Sequence, residues 1–302
     1  MTPEMLEQMK KQWKAMGLDP EQMMQYMNNA MEMQNNIQEQ MTKAFGDNPI
    51  MKNLMDLADD KPPEGDVLNF FDDSPEINPD STLNQEEQKA ILCAANLSYY
   101  YSHYLNTLET HMPPEELLVG LEQSWGITDR DSMIEVIDWL AVSGHRVYFK
   151  LIWNVLKTKP KPEWRKAISD LEVQTLAMED LESERIHPYS ENILEIYPLF
   201  LAKGFFSTMK DPNVKAWDLE RAINLCRYGY DLQFLTKEEA LERIVTYAKT
   251  MYKTYDSWRS LSEGFLVGCG MWSGSLELLS DRLEHHETLL SHEKSLWNSI
   301  AW

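Results

Sequence analysis

From residue 81 to residue 302 the chain carries apolar residues at helical spacing, broken only by short stop and start signals, and nowhere an alternating run rich in Val, Ile and Thr. That pattern restricts the fold to helices packed on helices. Asn84 with Glu87 reads as a capped start for a helix running to Tyr104, and Pro113-Pro114-Glu115-Glu116 opens a short helix ending at Trp125-Gly126. Thr128 is expected to begin the next, with Met133, Ile134, Val136, Ile137 and Leu140 facing inward and Gly144 as its stop. Further helices are expected at about 147–157, 162–185, 190–209, 214–228, 237–254, 257–272 and 275–299, with Thr236 and Glu239 capping the fifth of these. Glycine is scarce at 12 residues, so the chain lacks the turn density of a β-sandwich or barrel. The expected architecture is all-α: one multi-helix domain over 81–302 and an N-terminal helical arm.

The arm covers residues 1–55 and holds twelve of the eighteen methionines. Thr2-Pro3-Glu4 is a good helix start, Gly17 a stop, and Asp19-Pro20-Glu21-Gln22 a second start. Met9, Met16 and Met23 fall seven apart and Met23, Met27 and Met31 four apart, which with Trp13 makes one apolar stripe. Methionine side chains are flexible and polarisable, so such a stripe suits a protein partner or self-association, or else packing on its own domain. Residues 56–80 form a linker with nine acids, one lysine and four prolines, a composition that disfavours helix and sheet alike.

The formal net charge is −21, which repels phosphate backbones and anionic membrane surfaces, so neither nucleic acid nor membrane is expected as a partner. No apolar run reaches the length of a membrane span, and the first residues lack the apolar core of a signal peptide. Cys93, Cys226 and Cys269 are odd in number and far apart, as expected of free buried thiols. A cytoplasmic location follows as the expectation.

Several constellations are candidates for chemistry. Asp218 and Arg221 are three apart on one helix face among apolar neighbours. They form either a structural ion pair or a site in which the arginine holds an anion and the aspartate handles a proton. Gly144-His145-Arg146 at a helix end either completes that site or serves as a helix stop with a packed arginine. Trp125, Trp217, Trp258 and Trp272 are candidates for a pocket or an interface, against the alternative that they fill the core. Gly264, Gly268, Gly270 and Gly274 are not followed by the lysine of a phosphate loop, and their spacing suits close helix approach. His285, His286 and His292 lack the three- or four-residue spacing of helical metal ligands and read as a solvated face. No metal or cofactor is expected.

Trp125-Gly126-Ile127, Gly144-His145-Arg146, Ala216-Trp217-Asp218 with Arg221, and Ser257-Trp258 followed by Gly264, Gly268 and Trp272 occur in that order. Together they resemble the bacterial family catalogued as domain of unknown function 1266, over about residues 115–275. The resemblance implies an intracellular bacterial helical domain and carries no activity with it. The expected role is a protein-binding adaptor, a role that a bacterial setting extends to toxin neutralisation or secretion. The alternative is an enzyme in which Arg146 and Arg221 hold an anionic substrate while Asp218 and His145 move protons.

Overall fold

A computed structural model of the chain describes residues 74–176, 178, 181–205 and 212–302. The chain divides into two units, Met1–Asp72 and Asp73–Trp302. The first unit lies outside the described residues, and with it Met9, Trp13, Met16, Met23, Met27 and Met31.

The second unit is all-α, with no strand among its described residues. Its helices are α1 (Gln85–Leu92), α2 (Ala95–Tyr100), α3 (Pro114–Trp125), α4 (Arg130–Val142), α5 (Arg146–Thr158), α6 (Trp164–Thr175), α7 (Ile186–Ala202), α8 (Lys215–Asp231), α9 (Lys237–Thr254), α10 (Trp258–Ser273) and α11 (Leu276–Ser291). Capping chemistry sets most starts. Asn84 and Glu87 form a reciprocal capping box before α1, as do Thr236 and Glu239 before α9 and Ser257 and Ser260 before α10. The cap of α4 is Asp129 with Ser132, one residue later than the expected Thr128. Helix α7 begins at Ile186 and takes Pro188 in its first turn, where a missing N–H breaks no helical bond.

Two helices form the centre. Fourteen consecutive residues of α8, Ala216 to Gly229, are buried, and α10 is buried almost as completely from Trp258 to Met271. A helix buried on all sides must be surrounded, and α8 packs against α2, α4, α9 and α10. Close approach of α8 and α10 depends on Gly268, where a side chain would overlap the Cβ of Trp217.

The helix expected over 162–185 ends at Thr175 and that expected over 275–299 at Ser291, and the surround of α8 accounts for a further departure from the expected helices. A single helix from Asn84 to Tyr104 does not form; α2 ends at Tyr100, and residues 101–113 run irregularly. Their carbonyls are taken by a buried arginine instead. Arg227 on α8 donates to the carbonyls of Tyr104 (2.9 Å), Leu108 (3.2 Å) and Glu109 (3.2 Å) and to the Ser98 hydroxyl (2.9 Å). Asp231 accepts from the Thr110 backbone N–H at 3.0 Å. Residues of the acidic segment preceding α1 also bind here, with Asn78 and Asn106 exchanging two hydrogen bonds of 2.9 and 2.7 Å.

Other polar groups are sealed inside. His286 on α11 is fully buried rather than part of a solvated face, and its Nδ1 lies 2.7 Å from the Ser262 hydroxyl. Ser262 donates to Asn96, which donates to Glu220 at 2.7 Å. Burial drives the Glu220 carboxyl well above the usual carboxylate range. The thiols of Cys93, Cys226 and Cys269 are free and buried, and burial pushes the first two up to about 12, which leaves them inert. Among the described residues no helix is long and apolar enough to cross a membrane.

Burial lowers His286 to about 4 and His103 to about 3. Below pH 6.5 the unfolded chain therefore takes up protons at these positions that the folded chain refuses, and stability falls as the pH drops from there toward 4. Each such histidine contributes a slope of about 1.4 kcal/mol per pH unit. Denaturant unfolding of His286→Asn at pH 7, 6, 5 and 4.5 should show a shallower decline than the natural chain by about that slope. Parallel declines would mean that His286 is protonated in the folded state.

Candidate functional site

The site begins where α4 ends. Ser143 and Gly144 turn the chain, Gly144 at φ 58°, and α5 starts immediately with His145 as its cap and Arg146 as its first residue. A glycine is required twice over, by the left-handed backbone and because a Cβ would overlap the Asp218 carboxylate. The close approach serves a purpose: the N-terminus of α5 has no cap side chain of its own, and Asp218 reaches across from α8 to supply one. One carboxylate oxygen accepts from the His145 backbone N–H at 2.9 Å and the other from that of Arg146 at 3.0 Å. A carboxylate at a helix N-terminus also complements the positive end of the helix dipole.

Both arginines of the sequence motifs meet this carboxylate. Arg146 Nη1 donates to Asp218 Oδ2 at 3.0 Å, and the same guanidinium caps the end of α4 through the carbonyls of Leu140 and Ala141, each at 2.6 Å. Arg221 Nη2 donates to Asp218 Oδ1 at 2.8 Å. Asp218 is completely buried. Burial opposes its ionisation, but the donors from His145, Arg221 and Arg146 outweigh it and hold the carboxyl below its usual range.

Arg221 Nη2 also lies 2.8 Å from His145 Nδ1. A guanidinium has no lone pair to offer, so Nδ1 accepts and the ring proton sits on Nε2. Burial is the main reason that the His145 pKa is lowered, and the Arg221 charge adds to it, so the ring is neutral near pH 7. Arg221 itself falls to about 10 through burial and stays charged. Its guanidinium lies 4.1 Å from the ring centre of Trp217 and 5.4 Å from that of Trp125.

His145 and Arg221 open onto a cavity of about 550 Å³ between α2, α3, α4, α8, α10 and α11. The four candidate catalytic residues therefore split: His145 and Arg221 line the cavity, Asp218 stands behind them, and Arg146 lines a different depression with Lys150, Trp153 and Lys215. Of the candidate tryptophans, Trp125, Trp217 and Trp272 are in the cavity wall. Trp258 is elsewhere: it stacks on Trp297 at 5.5 Å, meets Trp302 edge-on at 4.7 Å and donates to the Ile300 carbonyl, fastening the C-terminus.

Three wall residues carry no sequence motif: Trp139 on α4, Arg185 before α7 and Arg282 on α11. Arg185 is paired with Glu182 and donates to the Tyr189 hydroxyl. Arg282 is different. It is 7% exposed, its Nε and Nη1 have no hydrogen-bond partner, and no carboxylate pairs with it. Its guanidinium rests on the face of Tyr100, 3.1 Å from the ring centre. The carboxyl that bears on it is Glu220, which burial pushes well above the usual carboxylate range. No signal in the sequence marks Arg282, because its neighbours belong to α2, α8 and α10, far away along the chain. Among the described residues no group of three or more His, Cys, Asp or Glu is placed to hold a metal ion.

Comparison with known proteins matches this part of the chain. The family model described as "Protein of unknown function (DUF1266)" aligns with residues 120–302, extending the resemblance read over 115–275 to the C-terminus. "Uncharacterized protein YbeR" of Escherichia coli (strain K12) is 26% identical over 169 residues, 55% of this chain. The chain spans 63% of the length of that relative. No solved structure matches significantly.

Asp218→Ala strips four donors of their shared acceptor and leaves Arg221 buried without a counter-charge. A loss of about 3–5 kcal/mol in unfolding free energy is expected. Gly144→Ala should also destabilise by about 2 kcal/mol or more, from left-handed strain and overlap with the same carboxylate. Their double mutant should be less damaging than the sum, since removing the carboxylate makes room for the new methyl group. Full additivity in chemical denaturation would show that the two residues do not interact.

Proposed function

We propose that this chain, which belongs to the DUF1266 family of proteins of unknown function, uses its helical domain to bind a small organic anion. The observation that carries this reading is Arg282, a buried guanidinium on a cavity wall with no partner for two of its nitrogens and, among the described residues, no carboxylate paired with it. Burying an uncompensated charge is unfavourable, and a bound anion removes the penalty. The cavity volume lies within the ordinary range for small-molecule sites, roughly 300–1,000 Å³.

Binding fits the surroundings better than proton-transfer catalysis. The expected base, Asp218, has both oxygens occupied by donors that hold the α5 terminus in place, so it has neither a free lone pair nor access to the cavity. His145 presents a fixed neutral ring, suited to donating a hydrogen bond from Nε2. The adaptor role expected of the methionine arm concerns residues outside the described ones, and the proposal here is confined to the helical domain.

The test is Arg282→Gln in the full chain. If Arg282 exists for a ligand, its removal leaves the unliganded melting temperature unchanged or higher, because an unpaired buried charge is gone. The natural chain, but not the variant, should show a rise in melting temperature with millimolar benzoate. A clear drop in the stability of the variant, with no benzoate effect on either protein, would assign Arg282 a purely structural role.

A further inference from the structure

The charges around the cavity limit what kind of anion belongs there. Four charged side chains are in the wall: Glu182, Arg185, Arg221 and Arg282. Arg185 is paired with Glu182, and Arg221 with Asp218, a carboxylate that Arg146 shares from behind the wall. His145 is neutral because its Nδ1 accepts from Arg221. Among the described residues Arg282 is the one guanidinium of the wall with no carboxylate at ion-pair distance, and it offers a place for one carboxylate.

The rest of the wall is aromatic, and part of that surface is uncovered. Trp125 and Trp217 are occupied by the Arg221 guanidinium. Trp139 and Trp272 are not comparably covered. Trp139, from α4, meets His145 edge-on at 5.1 Å and is 39% exposed. Trp272, from α10, touches only Trp217 among the rings, tilted by 39° at 5.7 Å, and is 47% exposed. Large indole faces left open in a cavity wall, on two different helices, are surfaces on which a flat ring gains more contact than a puckered one. A cavity of roughly 150 Å³ takes a benzene ring, so about 550 Å³ admits a fused bicyclic body with room for substituents.

On the reading that the cavity binds an organic anion, we infer that its ligand is a planar aromatic monocarboxylate, with the carboxylate on Arg282 and the ring system against Trp139 and Trp272. A planar guanidinium matches a carboxylate, and Tyr100 against its face fixes the plane of the Arg282 guanidinium. His145 Nε2–H is available to a polar substituent on the ring. A phosphate monoester, close to doubly charged at neutral pH, brings one negative charge too many for this wall.

Calorimetric titration of the full chain with four probes tests the inference: indole-3-carboxylate, cyclohexanecarboxylate, uncharged indole and phenyl phosphate. The expected result is that indole-3-carboxylate binds at least about tenfold more tightly than each of the others. Trp139→Leu and Trp272→Leu should each weaken indole-3-carboxylate by about fivefold or more and leave cyclohexanecarboxylate unchanged. Equal affinity for the aromatic and alicyclic acids would overturn the aromatic assignment while leaving an anion site in place. Tighter binding of phenyl phosphate would overturn the single-charge assignment. If neither carboxylate binds and Arg282→Gln alters nothing, the anion-binding reading fails together with this inference.

Discussion

The Asp218 carboxylate is the point on which the architecture turns. It is fully buried on a helix that is itself buried on every side, and it satisfies the backbone N–H groups of the α5 cap, His145, and first residue, Arg146, together with two guanidinium groups. A buried carboxylate is tolerable only when surrounded by donors, and a helix N-terminus is one of the few backbone features that supplies several at once. The geometry then propagates outward. Asp218 fixes the start of α5, Gly144 allows the chain to pass close enough, Arg146 closes the end of α4, and Arg221 is held so that its face covers Trp217. One wall of the cavity is thus set by an interaction that itself never reaches the cavity.

The same helix repeats the device on a second side. Arg227 has no carboxylate partner and is accommodated by three backbone carbonyls and a serine hydroxyl of the segment it organises. Glu220 is accommodated in a chain of hydrogen bonds through Asn96 and Ser262 to His286, and burial pushes its carboxyl well above the usual carboxylate range. Asp218 and Arg227 are therefore resolved by different routes, dense donors for one and backbone acceptors for the other. Against that background Arg282 stands apart, since neither of its two sealed nitrogens has been given a partner.

Much of this was legible in advance. Capping residues at Asn84, Thr236 and Ser257 and the stop at Gly144 are local signals, and helix starts set by them are found where expected. Five residues of the short motifs, His145, Arg221, Trp125, Trp217 and Trp272, share one cavity. The sequence could not say which face of each motif looks inward. Asp218 and Arg146 are as prominent in the pattern as His145 and Arg221, yet one lies behind the cavity wall and the other opens on a different surface. Residues 101–104 looked helical because Arg227, 123 positions beyond Tyr104, was invisible as the owner of the Tyr104 carbonyl.

What the sequence determined by itself is the class of fold, most helix starts and the placement of Asp218 and Arg221 on one helix face, because these depend on interactions within a few residues. What only the tertiary structure decided is the fate of each buried charge. Whether a carboxylate is ionised or a guanidinium is matched depends on groups brought close by packing, and electrostatic energies in a dry interior change steeply over a few ångströms. Arg282 is unremarkable in the chain, yet two of its buried nitrogens are unpartnered in the fold, and that difference is what the proposed anion site rests on.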